Sequence, residues 1–342
     1  MKKRWLERHD AYLYAHQQSV ILMDLLISRQ IEPNYFLRKT GLFYDDVCRG
    51  NRTLSAEQFA QLCDNASQPP LAHELAFLFG QRMLPGYFGH VSNCLQNAPS
   101  VKKALDVMVE FAALLFPLLT PTLRESPSHV YLDFHKAFGP IAPSLLLNSE
   151  QSRASRFVKE MTVSAIISYT NWLANTHLPW SVKFDYPAPD HQAEYEVFIG
   201  SQRTFNQATL SMSIAKGHLS TPSQMASQTM YQLSLEASRE SFIDMGSPQS
   251  LLSEIEQILY QQVKNLPSLE QLAQVLAMSP ATLKRKLKHH HTHYQKLCDQ
   301  VRKKVSMQLI HEQGYDEGQV AEYLNFYDVS NFRRSFKRWL AY

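Results

Sequence analysis

The sequence predicts an α+β chain that is mainly helical, with a mixed, helix-rich N-terminal domain followed by an all-α domain of two helix-turn-helix motifs in tandem. Three observations predict it. Helical periodicities outnumber the few period-two runs over the first two thirds of the chain. A short apolar pattern leading into a basic helix then occurs twice near the C-terminus, and positive charge collects there.

In chain order, residues 17–29, 55–65, 71–83, 101–119 and 149–173 carry apolar residues at helical spacing, which predicts amphipathic or buried helices. Residues 129–135 and 181–186 alternate as strands do. The N-terminal domain is expected over 1–239, and a polar linker with Gly246, Ser247 and Pro248 over 240–248. A helix over 249–263 then opens the C-terminal domain, 249–342.

The repeat sits in that last domain. Its first copy has Leu272, Ala273 and Leu276 before a turn and Leu283 and Leu287 after it; its second has Val320, Ala321, Leu324, Phe332 and Phe336. Leu272 maps to Val320, an offset of 48, and Leu283 to Phe332, an offset of 49, so the second turn holds one extra residue. The spacing has a physical cause, because each short helix must bury one apolar stripe against its partner across a sharp turn. Ala273 is small where the two backbones approach. Ser279 followed by Pro280 reads as an N-cap with proline at the first helical position. Asp328 is the corresponding cap, and Asn325 suits a left-handed turn position.

With that stripe spent on packing, the other face carries the chemistry. The first basic helix presents Ala281, Thr282, Lys284, Arg285 and Lys288, with Ser279 at its start. The second presents Ser330, Asn331, Arg333, Arg334 and Lys337. Such a helix fits the major groove, where Arg pairs with guanine, Asn with adenine, and Lys meets phosphate. A solvated basic face is the plainer reading of one copy; two copies in phase favour double-stranded DNA.

The segment 266–339 resembles the DNA-binding domain of the AraC/XylS family of transcriptional regulators, most specifically in Val320-Ala321-x-x-Leu324-x-Phe326-x-x-x-Ser330-x-Phe332-x-Arg334-x-Phe336-Lys337-Arg338-Trp339. The resemblance implies two motifs joined by a long helix, placing their second helices in successive major grooves. The matching connector is 294–310, with Tyr294, Leu297, Val301, Val305 and Leu309 as its buried stripe and Arg302, Lys303 and Lys304 off it. Ala277 and Asn325 stand where the family usually has glycine. The N-terminal part is similar to the family's arabinose-binding-type effector domain, on Leu178-Pro179-Trp180-Ser181-Val182-Lys183-Phe184-Asp185-Tyr186-Pro187 and on Pro85-Gly86-Tyr87-Phe88-Gly89-His90. The resemblance implies a regulator, an activator touching RNA polymerase at promoters, controlled by a small effector of unknown identity and working as a homodimer. The alternative is a constitutive or architectural DNA-binding protein whose N-terminal domain mediates only association. The subgroup's name is no evidence for a sugar, since no cluster of polar side chains for hydroxyls can be located and the effector-binding residues stay unknown.

Charge agrees with this reading. Residues from Pro267 onward hold 12 Lys and Arg against 7 Asp and Glu, a net of +5, while the remainder holds 22 against 24, a net of −2. No secretion signal follows Met1-Lys2-Lys3-Arg4, and no apolar run is long enough for a membrane span, so a cytoplasmic protein with no membrane partner, bound at the nucleoid, is expected. Cys48, Cys63, Cys94 and Cys298 show no metal or disulfide pattern. His289-His290-His291-x-His293 is the one eye-catching metal candidate, but consecutive helical residues diverge, and neither a metal nor a cofactor is expected. Ser100-x-x-Lys103 has the spacing of an activated serine, yet lacks companion motifs and reads as a helix cap. With no nucleophile elbow, phosphate loop, dinucleotide fingerprint or Pro-Cys-His, no enzyme is expected.

Overall fold

In the computed structural model, which describes residues 5–68, 74–138, 153–244 and 250–340, two compact units form, the first from 5–137 and 153–244 and the second centred on 250–340.

The first unit opens with β1 (Ala11–Tyr14), which pairs antiparallel with β2 (Thr53–Ser55). Between them run α1 (Gln18–Ile27), α2 (Pro33–Leu37) and α3 (Tyr44–Cys48). Helix α4 (Ala56–Ala66) starts at a capping box, in which Gln58 N–H donates to Ser55 Oγ and Ser55 N–H to Gln58 Oε1. Then come α5 (Leu75–Met83), α6 (His90–Gln96), α7 (Val101–Glu110) and α8 (Ala112–Leu115). Strands β3 (Leu119–Glu125) and β4 (His129–Lys136) precede the long α9 (Arg153–Ala174). After it lie β5 (Ser181–Lys183), α10 (Gln192–Phe198), β6 (Arg203–Thr204), β7 (Ser211–Ala215) and α11 (Gln228–Asp244).

The larger sheet has the order β3-β4-β7-β5-β6 and is antiparallel except at β5–β6. Val130, Leu132, Val182 and Met212 are fully buried in it. Pro121 is tolerated because β3 is an edge strand, where its missing N–H breaks no inner ladder. Helix α9 packs on α5 at backbone contact: a Cβ added to Gly80 would stand 2.3 Å from Met161 O and 2.8 Å from Ser164 Cβ. Ser164 Oγ donates to Phe77 O across the same contact at 2.8 Å. Helix α9 also buries charge, with Lys159 Nζ 2.7 and 2.8 Å from the two Asp185 oxygens and Tyr195 donating to Glu160. Burial, with Glu160 beside it, raises the Tyr195 phenol well above its ordinary value.

Two expectations are corrected here. The single helix over 101–119 is instead α7, α8 and the first residue of β3, because the chain turns at Phe111 and again around Pro117. The stretch 240–248 begins as helix, since α11 continues to Asp244; Gly246, Ser247 and Pro248 lie outside the described residues. So do 71–73 and 149–152, the starts of two expected helices. Ser100 caps α7, accepting from Lys103 N–H at 3.4 Å.

The second unit is all helix. It contains α12 (Leu251–Gln261), α13 (Leu269–Val275), α14 (Pro280–His289), α15 (Tyr294–Gln313), α16 (Glu317–Tyr323) and α17 (Val329–Leu340). Helix α15 has 20 residues and so spans about 30 Å. Leu297, Val301, Val305 and Leu309 are its buried stripe, and half-buried Tyr294 donates its hydroxyl to Pro267 O. Of the three cations expected off the stripe, Lys304 is instead buried, its ammonium 5.7 Å from the Tyr260 ring, because α12 packs over that side of the connector.

Candidate nucleic-acid interface

Each motif is built by the same local devices, 48 residues apart before the turn: Ser268 with Gln271 forms a capping box at the start of α13, and Asp316 with Gln319 at the start of α16. Their turns match bond for bond. Met278 N–H donates to Ala273 O and Ala277 N–H to Gln274 O, while Phe326 N–H donates to Ala321 O and Asn325 N–H to Glu322 O. This is the Schellman arrangement, which needs a left-handed residue just past the helix. Ala277, at φ 52°, and Asn325, at φ 57°, occupy that position. Asn tolerates the conformation; Ala pays a steric cost for its Cβ.

Beyond the turn, the extra residue of the second motif is Tyr327, which is 96% exposed. The caps then come back into register at an offset of 49. Thr282 N–H donates to Ser279 Oγ at 3.1 Å, and Asn331 N–H to Asp328 Oδ1 at 2.6 Å. Leu283 and Phe332 are fully buried, as is Leu287, while Phe336 is half-buried. The same register pairs His290 with Trp339, and both are buried. The histidine run is thereby divided: His290 fills a core position, and His289, His291 and His293 are exposed.

The remaining face of each basic helix points outward. On α14, Ala281, Lys284, Arg285 and Lys288 are exposed and Thr282 is half-buried; on α17, Ser330, Arg333, Arg334 and Lys337 are exposed and Asn331 is half-buried. Residues three and four apart share a helix face. Ala281, Arg285 and Lys288 therefore form one ridge, and Ser330, Arg334 and Lys337 its counterpart.

The two faces differ electrostatically. Among the described residues, no ion pair ties down Lys284, Arg285 or Lys288, although Lys284 is close enough to contribute to holding Glu270 below the ordinary carboxylate range, after hydrogen bonds from Glu270's own backbone and from Ser268. On α17, Arg333 Nε is 2.5 Å from Glu317 Oε2. It lies over a groove of about 630 Å³ lined by Ile310, Tyr315, Phe336 and Leu340. Arg333 therefore sits at the edge of the exposed face, committed to a partner inside its own motif. Arg334 donates from Nη2 to Asn331 Oδ1 at 2.6 Å, and Asn331 donates from Nδ2 to Asp328 Oδ2 at 2.9 Å. Sequence reasoning named Asp328 only as a cap and passed over Glu317 and Tyr327. An acidic residue one turn before an Asn and two before an Arg was the available signal.

A compact N-terminal α+β unit joined in one chain to a pair of helix-turn-helix motifs with cationic outer faces defines a DNA-binding regulator. The family model for the arabinose-binding domain of AraC transcription regulators matches residues 31–223, and the chain belongs to this family of transcription regulators, which is not enzymatic and acts at promoter DNA. It is similar to the ornithine utilization regulator of Pseudomonas aeruginosa, with 26% identity over 290 residues, covering 84% of this chain and 82% of that one. Among solved structures it resembles the transcriptional regulator CdpR from the same organism, with 19% identity, a TM-score of 0.44 and 95% of each chain covered. Among the described residues, no helix is long and apolar enough to cross a membrane.

Proposed function

We propose that the chain is a sequence-specific transcriptional activator whose two motifs bind adjacent major grooves, controlled by a small effector held in the N-terminal domain. The observation that carries the DNA reading is the matched pair of exposed faces, Ala281, Thr282, Lys284, Arg285 and Lys288 on α14 and Ser330, Asn331, Arg333, Arg334 and Lys337 on α17. Ser279 joins the first face as the cap where a phosphate would meet the helix start. The connector's length, about 30 Å, is commensurate with the roughly 34 Å between successive grooves on one side of a duplex. The domain division, with effector sensing and self-association before about residue 239 and DNA binding from about 249, is part of this reading.

Activation and contact with RNA polymerase rest on family membership, and such a regulator works at the nucleoid in the cytoplasm. Effector control is a shift in population between conformers that do and do not present both motifs to one duplex. The relative named for ornithine utilization makes basic amino acids the first effectors to test. Selection of duplexes from a random library by the full chain, followed by footprinting with mutated half-sites, checks the DNA reading. Two half-sites about one helical turn apart are expected. Binding indifferent to base changes and governed by salt alone would show an architectural protein instead.

A further inference from the structure

We propose that Asp328 is a positioning residue for base reading, holding the Arg334 guanidinium through Asn331 so that the second motif supplies most of the sequence discrimination and the first mainly anchors the duplex. This rests on the DNA reading above.

The geometry is a short relay on the surface of α17. The Asp328 carboxylate accepts the Asn331 backbone N–H through Oδ1 at 2.6 Å and the Asn331 amide through Oδ2 at 2.9 Å. The other end of that amide accepts Arg334 Nη2 at 2.6 Å. A carboxylate can only accept and a guanidinium can only donate, so an amide between them has one allowed orientation. Asp328 thus fixes the Asn331 amide, and Asn331 fixes one edge of the guanidinium. Arg carries five N–H donors, and the relay engages one of them, leaving the others for the O6 and N7 acceptors of a guanine.

Pre-setting the fork removes rotamer freedom that would otherwise be lost on binding. Asn331 commits one amide N–H and one oxygen lone pair to the relay, and its role in this proposal is to support the reader.

The first motif lacks these parts. At the matching positions, Ser279 offers one oxygen, which caps the helix and lies 2.9 Å from Thr282 Oγ1. Thr282 has no amide to pass the contact on to Arg285. A carboxylate on a surface that meets phosphates also weakens binding to every duplex alike. Its presence in the second motif serves the cap of α17 and, in this proposal, the orientation of Arg334, and not affinity.

The test uses the full chain, a duplex selected by the wild-type protein from a random library, and a scrambled duplex of the same composition. Asp328→Ser keeps a good cap but has too few oxygens to hold the amide as well. Its ratio of affinities for selected over scrambled duplex should fall roughly tenfold, the loss concentrated at one G·C pair. Binding to the scrambled duplex should be unchanged or tighter, and thermal melting should stay near wild type. In an Arg334→Ala background, Asp328→Ser should lower the ratio no further.

An unchanged ratio in Asp328→Ser overturns the proposal. So does an equal loss on both duplexes with a lowered melting temperature, which would make Asp328 a cap and nothing more. If the wild-type chain shows no preference among duplexes, the DNA reading falls first, and this inference with it.

Discussion

Leu272, Leu276, Leu283 and Leu287 give the first motif an aliphatic core, whereas the second adds to buried Val320 and Leu324 an aromatic cluster of Phe326, Phe332, Phe336 and Trp339, with ring centres 5.3 to 6.3 Å apart. The pair of backbone hydrogen bonds that closes the first helix of each motif is nonetheless the same, although the second turn then holds one more residue, Tyr327. Core chemistry can therefore change while the turn geometry stands, provided that each apolar position stays apolar. The outer faces diverge more. The first offers cations with no ion pair among the described residues, and the second ties Arg333 to Glu317 and Arg334 to Asn331. The lesson is that presenting a helix and aiming its side chains are separable tasks.

The hardest way to break the comparison is in the cores. Leu283→Asp and Phe332→Asp each place a charge in a fully buried site and should cost more than about 3 kcal/mol, unfolding their own motif. Circular dichroism melts check this, and a normal melt for either would mean that the wrong face has been taken as buried. Next come the arginines at matched positions. Arg334→Ala should weaken binding to a selected duplex by about 1–3 kcal/mol and relax preference at one position. Arg285→Ala should lose affinity more evenly across duplexes and lower the salt dependence by about one phosphate contact. Equal behaviour of the two variants in a binding titration would erase the distinction between the faces.

The turns sharpen the comparison at a smaller scale. Ala277→Gly relieves a left-handed alanine and should raise stability by about 0.5–1 kcal/mol. Asn325→Gly should gain less, because Asn already accepts that conformation and its amide donates to Asn265 Oδ1 at 3.1 Å. Urea denaturation of the two variants separates these outcomes. Smallest of all, Tyr327→Ala should leave stability within about 0.5 kcal/mol of wild type, since the ring of the inserted residue is almost wholly exposed.

Features set within a few residues were readable in advance. The stripes of α14, α15 and α17, the caps Ser279 and Asp328 and the need for a left-handed residue at 325 all follow from spacing and local hydrogen bonding. What escaped depends on distant partners. Strand β3 contains Pro121 and is a strand only because β4 lies beside it along one edge. Strand β7, Ser211–Ala215, is short and takes its register from β4 and β5. Lys304 lies off the connector's apolar stripe and is covered by α12. At the interface the exposed residues were legible one by one, but their mutual bonds were not. Arg333 reaches Glu317 across 16 positions and a turn, and nothing in helical spacing announces that pairing.

Helix α12 grips the connector by more than apolar contact. Leu252, Ile255 and Leu259 are buried, Tyr260 donates its hydroxyl to Gln308 Oε1 at 3.1 Å, and Lys304 lies against the same ring. Helix α12 opens this unit, so the first helix of the unit is fastened directly to the connector that joins the two motifs.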